Sequence, residues 1–322
     1  MSDEEMPNAQ DVSLDEETKL LRAQQILAGA LFTSKEQVNV LSTRKLKSGY
    51  YRVTFQDLRP GSEKMFDKSA VLDLTFPLET RPIDQIIRQH QAEGRELFLA
   101  LGAGVRDYPK KENGDPNESK RAFFATDISY GIAPHEDNFA MLNLPMRYST
   151  PASMMEKAWP EPTHFFNTID DDAILDDTFD TIQMCNVLSD PKLRTLPFSP
   201  LKNALRILKR DTGEFLIMNR LLPLEHSPYH LKLMLSTYGG IIDEVVFHAL
   251  KAEPKEKQMY KKGMSVVSAE IVARLERDYH VSPEHLVNGL SEGAYCVIVK
   301  KSDRPGVKFG DMPSLDVDPY YG

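Results

Sequence analysis

The chain has few cysteines, a single tryptophan and no long apolar run. Its 322 residues include 2 cysteines and 1 tryptophan, and no apolar stretch approaches the length that a membrane-spanning helix needs. Cys185 and Cys296 each lie within an apolar segment. We therefore expect buried free thiols rather than a disulfide, and no contact with a membrane.

Positive charge is also in deficit. The chain has 39 Lys and Arg residues against 48 Asp and Glu residues, which gives a net charge of -9. Because nucleic acids attract basic surfaces, a nucleic-acid partner is not expected. Residues 1–7 are acidic and polar, unlike a signal or transit peptide, so the expected localisation is cytoplasmic.

The composition predicts four parts along the chain. After an acidic N-terminal stretch, apolar residues that include Leu20, Leu27 and Leu31 recur at helical spacing. The last residues of the sequence are rich in proline and aspartate. The expected parts are an acidic tail at 1–12, a helix and hairpin segment at 13–92, a main domain at 93–302 with a helical insertion at 225–262, and a C-terminal tail at 303–322.

Apolar strand-like runs alternate with helix-period segments through the main domain. This alternation is typical of an α/β protein with a mostly parallel, doubly wound sheet. Strands are predicted at 96–101, 122–127, 138–144, 179–185, 214–219, about 285–290 and 294–300. The N-terminal segment adds two hairpin strands, within 50–55 and 70–76.

The first strand of the main domain ends abruptly in two glycines. Gly102 and Gly104 close the run Leu101-Gly102-Ala103-Gly104, and Asp127-Ile128 closes the next strand. Glycines at the carboxyl edge of a parallel sheet allow backbone to approach a ligand, and an acidic residue after the next strand often holds a ribose. The pair favours a nucleoside-containing cofactor. A tight turn at the glycines and a turn cap at Asp127 remain the alternative interpretation.

These features, in this order, resemble the class I S-adenosylmethionine-dependent methyltransferases. Residues 99–104 look like the family's glycine-rich motif, 126–128 like its ribose-binding strand end, 179–188 like its fourth strand and the following loop, and 201–219 and 265–300 like its later elements. The resemblance implies a Rossmann-like sheet of seven strands with an N-terminal extension. It also implies S-adenosylmethionine as cofactor and methyl transfer to an O or N nucleophile of a small-molecule or protein substrate.

The same resemblance implies which residues bind the cofactor. The glycines would cradle its backbone side, Asp127 would accept two ribose hydroxyls, and Cys185 and Asn186 would flank the reacting end. The candidate cofactor-binding residues are Leu101, Gly102, Ala103, Gly104, Asp127, Ile128, Cys185 and Asn186. No catalytic residue is assigned. No metal is expected, because the acidic run at 170–177 lacks the glycine-centred turn and closing glutamate of a cation loop.

The chain departs from the family pattern at three places. Ala100 stands where the family often has an acidic residue, Arg106 stands where a third glycine would fall, and 107–121 reads as a loop instead of a helix. A catalytically inactive methyltransferase-like binding protein is therefore one alternative. A nicotinamide-dependent oxidoreductase is another, although its fingerprint needs a glycine where this chain has Asp107. A homodimer contact through the N-terminal segment also stays open.

Overall fold

The computed structural model describes residues 14–62, 67–104, 120–133, 138, 142, 162–167, 169, 171–187, 199–220, 231, 235–249, 269–281 and 294–301. The chain divides into two compact units. The first unit is Met1–Phe76 with Gly131–Ser149, and the second is Pro77–Tyr130 with Thr150–Gly322. Residues 77–92, assigned to the N-terminal segment from the sequence, thus group with the second unit.

The first unit contains one long helix and an antiparallel sheet. Helix α1 (Glu16–Ala30) begins after Asp15, whose side chain accepts a hydrogen bond from Thr18 N at 2.7 Å. Acidic residues in the first turn favour this start. A 3₁₀ turn leads to β1 (Val38–Lys45), β2 (Tyr51–Asp57) and β3 (Lys68–Leu72), which pair in that order. The sequence pattern had not predicted β1, because most of its side chains are exposed and polar.

The second segment of the first unit returns to β3. Val71 N donates to Asn138 Oδ1 at 2.9 Å, and Asn138 Nδ2 donates to the carbonyls of Val71 and Ala133, both at 2.8 Å. Asp73 N also donates to the Gly131 carbonyl at 2.8 Å. The Asn138 side chain is fully buried, and it therefore pairs with the β3 backbone as a neighbouring strand would.

The second unit contains the predicted seven-stranded sheet. Its strands are β4 (Glu96–Leu101), β5 (Arg121–Thr126), β6 (Thr163–Phe166), β7 (Thr181–Cys185), β8 (Glu214–Arg220), β9 (Gly240–Ala249) and β10 (Ala294–Lys301). They lie in the order β6-β5-β4-β7-β8-β10-β9. The first five strands in this order are parallel, whereas β10 is antiparallel to β8 and β9. The expectation of a doubly wound, mostly parallel sheet is confirmed.

Apolar side chains cover both faces of this sheet. On one face, Ile86 of α2 (Ile83–Ala92) and Leu205 of α3 (Ser199–Ile207) join a core that includes Leu99. On the other face, Leu275 of α4 (Ala269–Tyr279) packs in a cluster that includes Cys185 and Cys296. Both thiols are buried and free, as predicted. Strands covered on both faces read as near-continuous apolar runs, which explains why most were recognisable in the sequence.

Two sequence-based assignments differ from the structure. The third strand of the sheet in chain order is β6 (Thr163–Phe166), not 138–144: Asn138 is helical and Leu142 lies in a turn. The expected helical insertion at 225–262 contains a strand, β9, because its β-branched residues at 241, 242, 245 and 246 suit a pleated surface better than a helix. The predicted strand at 285–290 and both tails lie outside the described residues. No helix among those described is long and apolar enough to cross a membrane.

Candidate functional site

The loop after β4 contains two glycines that no other residue replaces easily. Gly102 and Gly104 have φ angles of 58° and 57°, in the left-handed region that side chains disfavour. A Cβ on Gly102 would lie 2.5 Å from Val187 Cγ2, which is closer than van der Waals contact allows. Between them, the fully buried Ala103 donates its backbone N–H to the Thr126 carbonyl at 2.9 Å. The loop is thus tied to the end of β5.

Asp127 lies beside this glycine loop. Its Oδ2 accepts a hydrogen bond from Gly104 N at 2.7 Å, so the two features that the sequence predicted to be neighbours are in direct contact. Its Oδ1 accepts from Ser129 N at 2.9 Å and from Ser129 Oγ at 2.6 Å. The residue is only 5% exposed. Asp127 therefore fixes the glycine loop and caps its own turn at the same time.

The three donors limit what else the Asp127 carboxylate can bind. An ionised carboxylate offers about four acceptor positions, and the contacts from Gly104 and Ser129 fill three of them. One further donor fits without the loss of a protein contact. The expectation that this carboxylate accepts two ribose hydroxyls stays a prediction, and a second hydroxyl would have to replace one of the three protein donors.

The other candidate residues divide between the sheet edge and the core. Asn186 follows β7 with a φ angle of 57°, and its backbone N–H donates to the Met218 carbonyl at 2.8 Å. Leu101 is the last residue of β4 and Ile128 lies two residues after the end of β5, and both are partly exposed. Cys185 is 4% exposed and packs with Leu216 and Met218 in the core. The edge therefore brings together residues 101–104, 127–128 and 186, while the Cys185 thiol lies within the sheet packing.

Two residues at this edge were not singled out from the sequence. Ser129 supplies two of the hydrogen bonds to Asp127, and an Asp followed two residues later by Ser is a recognisable turn pattern. Asn167 is 6% exposed and directly follows β6, whose Phe166 carbonyl accepts from Asp127 N at 3.0 Å. Its position could not be found because the third strand was assigned elsewhere. The positions of Arg106 and Asp107 lie outside the described residues.

The order of the strands places the glycine loop at a switch point of the sheet. The order reverses between β4 and β7, and the glycine loop and Asn186 follow the carboxyl ends of those two strands. Ligands of doubly wound sheets bind at such a switch point. The reversal and the antiparallel closing pair together complete the expected architecture. The second unit has a class I methyltransferase-like fold.

Comparisons with known proteins add likenesses to solved methyltransferases. No protein-family model matches the chain, and no curated protein matches it. The chain is similar to an antibiotic related methyltransferase at 13% identity, with 68% of this chain and 95% of the other covered and a TM-score of 0.38. It is also similar to the 16S rRNA (adenine(1408)-N(1))-methyltransferase from Catenulisporales acidiphilia, at 13% identity, 71% and 98% coverage and a TM-score of 0.39.

A third similar structure is a 1,6-didemethyltoxoflavin-N1-methyltransferase from Burkholderia thailandensis with bound S-adenosylhomocysteine. It is 12% identical, with 69% of this chain and 78% of the other covered and a TM-score of 0.35.

Proposed function

We propose that the second unit binds S-adenosylmethionine and transfers its methyl group to an oxygen or nitrogen nucleophile of a small-molecule or protein substrate. The observation that supports this most directly is the 2.7 Å hydrogen bond from Gly104 N to Asp127 Oδ2 at the switch point of the sheet. It holds the glycine loop and a carboxylate next to each other, as binding of an amino-acid–nucleoside cofactor requires.

Each residue of the edge has a separate part in this proposal. The backbone at Gly102 and Gly104 approaches the methionine portion of the cofactor, because no Cβ intervenes. The remaining acceptor position of Asp127 takes one ribose hydroxyl. Asn186, at the end of β7, lies on the side where the reacting methyl group would be. Main-chain hydrogen bonds fix all three segments before any ligand arrives, which lowers the entropic cost of binding.

The cofactor itself needs no proton transfer from the protein, and the proton that an O–H or N–H nucleophile loses passes to a base or to solvent. The sulfonium of the cofactor supplies an activated methyl group with a neutral leaving group. The chain has to orient a nucleophile in line with that methyl group and to exclude water. The described residues at the edge offer backbone and polar groups that can position a cofactor, in agreement with this requirement.

Isothermal titration calorimetry with S-adenosylmethionine and S-adenosylhomocysteine tests the proposal. Asp127→Asn replaces the acceptor of the Gly104 N–H and of the ribose by an amide. We expect about 10- to 100-fold weaker binding, since a hydrogen bond to a charged group contributes about 1.5–3 kcal/mol. No heat from the native chain at millimolar cofactor would refute the proposal.

Asp180→Asn is the matched control. Asp180 directly precedes β7 at the opposite edge of the same sheet, and its Oδ2 accepts from Leu97 N at 2.9 Å. Its Oδ1 accepts from Lys209 Nζ at 2.6 Å. This change removes a comparable carboxylate far from the glycine loop. The cofactor affinity of this variant should equal that of the native chain.

A catalytically inactive binding protein is the second candidate. The three protein donors on Asp127 close the β4 and β5 loops without any ligand, so the residue has a sufficient structural role. Under this alternative, the native chain binds neither S-adenosyl compound, and Asp127→Asn only lowers stability. Titration with reduced nicotinamide cofactor in the same instrument tests the oxidoreductase alternative.

A further inference from the structure

Two buried histidines face each other on the side of the sheet that α2 covers. His90 lies in the last turn of α2 and His164 is the second residue of β6, and their Nε2 atoms are 2.8 Å apart. His90 is 3% exposed and the His164 side chain 12%. Both rings pack against Phe124 of β5, with centroid distances of 6.2 Å and 5.4 Å. We call this arrangement the histidine pair.

A carboxylate and an arginine lie at the His164 end of the pair. His164 Nδ1 is 2.9 Å from Glu79 Oε2. Arg81 donates to both oxygens of the same carboxylate, with Nε–Oε1 at 3.0 Å and Nη2–Oε2 at 2.8 Å. Burial opposes ionisation of Glu79, but the hydrogen bonds from Arg81 and His164 outweigh it and lower its pKa to about 2. Glu79 is therefore an acceptor at every pH near neutrality.

A carboxylate and an arginine also lie at the His90 end of the pair. His90 Nδ1 lies 3.4 Å from Glu93 Oε2, and Arg95 Nε lies 2.9 Å from that oxygen. Gln89 Nε2 donates to the other oxygen of Glu93 at 3.0 Å. Among the described residues, no group of three His, Cys, Asp or Glu side chains is arranged to hold a metal ion here or elsewhere. Among the described residues, the charged side chains that act on the pair are Glu79, Arg81, Glu93 and Arg95.

The hydrogen-bond partners decide how many protons the pair can hold. Because Glu79 only accepts, His164 Nδ1 carries a proton, and the Nε2 of neutral His164 is an acceptor for His90 Nε2–H. Neutral His90 then leaves a bare Nδ1 opposite Glu93, so a first added proton has a suitable place. A second would turn two N–H groups towards each other across 2.8 Å. The folded pair therefore accepts one added proton and resists a second.

The pair is connected to the proposed cofactor site through β6. This strand is an edge strand of the described sheet, and its Phe165 carbonyl accepts from Glu79 N at 2.8 Å. Its Phe166 carbonyl accepts from Asp127 N at 3.0 Å. A change at His164 thus reaches the backbone that carries the site carboxylate within two residues.

We propose that the histidine pair is a pH-sensitive contact that holds β6 in place, and that a second proton opens it and weakens the cofactor site. The effect on cofactor affinity rests on the proposed function, whereas the effect on stability does not. The unfolded chain binds two protons at these histidines, but the closed pair binds only one.

The direction of the pH dependence follows from this difference. Burial lowers the pKa of both histidines, while Glu93 and Glu79 oppose that effect. The native contact therefore contributes its full stability above the unfolded pKa of about 6.5 and loses it as the pH falls below that value. Because the unfolded chain binds one more proton than the folded chain, the equilibrium constant for unfolding rises about tenfold for each pH unit below that value.

Urea unfolding of the full chain between pH 5 and 8, together with NMR titration of the 8 histidines, tests the proposal. The native chain should lose stability below about pH 6.5 by about tenfold per pH unit, and the His90 and His164 rings should titrate as a coupled pair. In His90→Gln the side-chain oxygen can accept a hydrogen bond from a protonated His164 Nε2, and glutamine itself binds no proton. The folded and unfolded chains then bind equal numbers of protons at this place, so the slope should fall by about one proton. Independent titration of both rings near their ordinary pKa would overturn the proposal.

His280→Gln is the matched control. His280 is also buried and packs on Phe98 and Phe123, away from the pair. This variant should leave the coupled NMR titration of the His90 and His164 rings unchanged, and a change in that coupled titration would refute the assignment. Should His90→Gln not fold, the NMR titration of the native chain still decides. If S-adenosylmethionine binds at no pH, the proposed function fails, while the stability slope continues to test the pair.

Discussion

Replacement of Gly102 by alanine should destabilise the second unit strongly. Alanine in the left-handed conformation at φ 58° costs about 1–2 kcal/mol. The new Cβ would also lie 2.5 Å from Val187 Cγ2. Since valine has restricted rotamers and Val187 is buried, relief of that overlap adds about 1–3 kcal/mol. The expected loss in the free energy of unfolding is therefore about 2–5 kcal/mol.

Gly94→Ala separates the two contributions. Gly94 belongs to the same unit and has a φ of 71°, but nothing lies within 4 Å of its added Cβ. This variant should lose only the conformational part, about 1–2 kcal/mol. In a Val187→Ala background, the cost of Gly102→Ala should fall by about the same 1–3 kcal/mol that the overlap contributed.

Pulsed thiol labelling in urea measures these differences within the second unit. Cys185 and Cys296 are both buried in its core, so their labelling reports its unfolding and not that of the first unit. An equal loss in Gly102→Ala and Gly94→Ala would refute the steric argument. So would a Val187→Ala background that leaves the Gly102→Ala cost unchanged.

Two further predictions concern parts of the structure away from the site. Tyr279→Phe removes the hydrogen bond from the Tyr279 hydroxyl to Glu214 Oε2 at 2.5 Å. Because Glu214 is partly exposed, we expect a loss of about 1.5 kcal/mol in the free energy of unfolding, measured by the same labelling. No loss would show that water replaces the contact. In the first unit, hydrogen bonds from Arg59 and Lys68 hold the pKa of Asp57 well below its usual range against the effect of burial. The stability that this ionised carboxylate contributes is present above a pH of about 4 and is lost as the pH falls further. Hydrogen exchange of β2 should therefore accelerate in acid in the native chain but not in Asp57→Asn. An equal acceleration in both proteins would contradict this prediction.

The glycine loop and its carboxylate could be predicted from the sequence because local chemistry determines them. The buried run that ends at Leu101 identifies a strand, and two glycines after it need conformations that other residues disfavour. Asp127 follows the next such run. In a parallel sheet, consecutive strand ends meet at one edge, and the 2.7 Å contact between Gly104 and Asp127 follows from that rule.

The elements that were missed depend on distant neighbours. β6 has only four residues, and its place is fixed by pairing with β5 and with residues 78–79, which no local pattern shows. β9 includes Asp243 and Glu244, which interrupt its apolar pattern; their partners, Lys300 and Arg274, are remote in sequence. Asn167 could not be assigned to the site without β6. Tertiary pairing overrides local preference at each of these positions.

The amide of Asn138 limits how early the N-terminal sheet can be completed while the protein is synthesised. It completes the pairing of a strand that ends at Leu72, yet it is translated after the whole of β5. A fragment that stops at residue 76 lacks this amide and leaves the Val71 backbone groups without it. On the ribosome, the N-terminal sheet lacks this pairing until more than sixty further residues have emerged. The first unit is therefore completed only after part of the second unit has been synthesised.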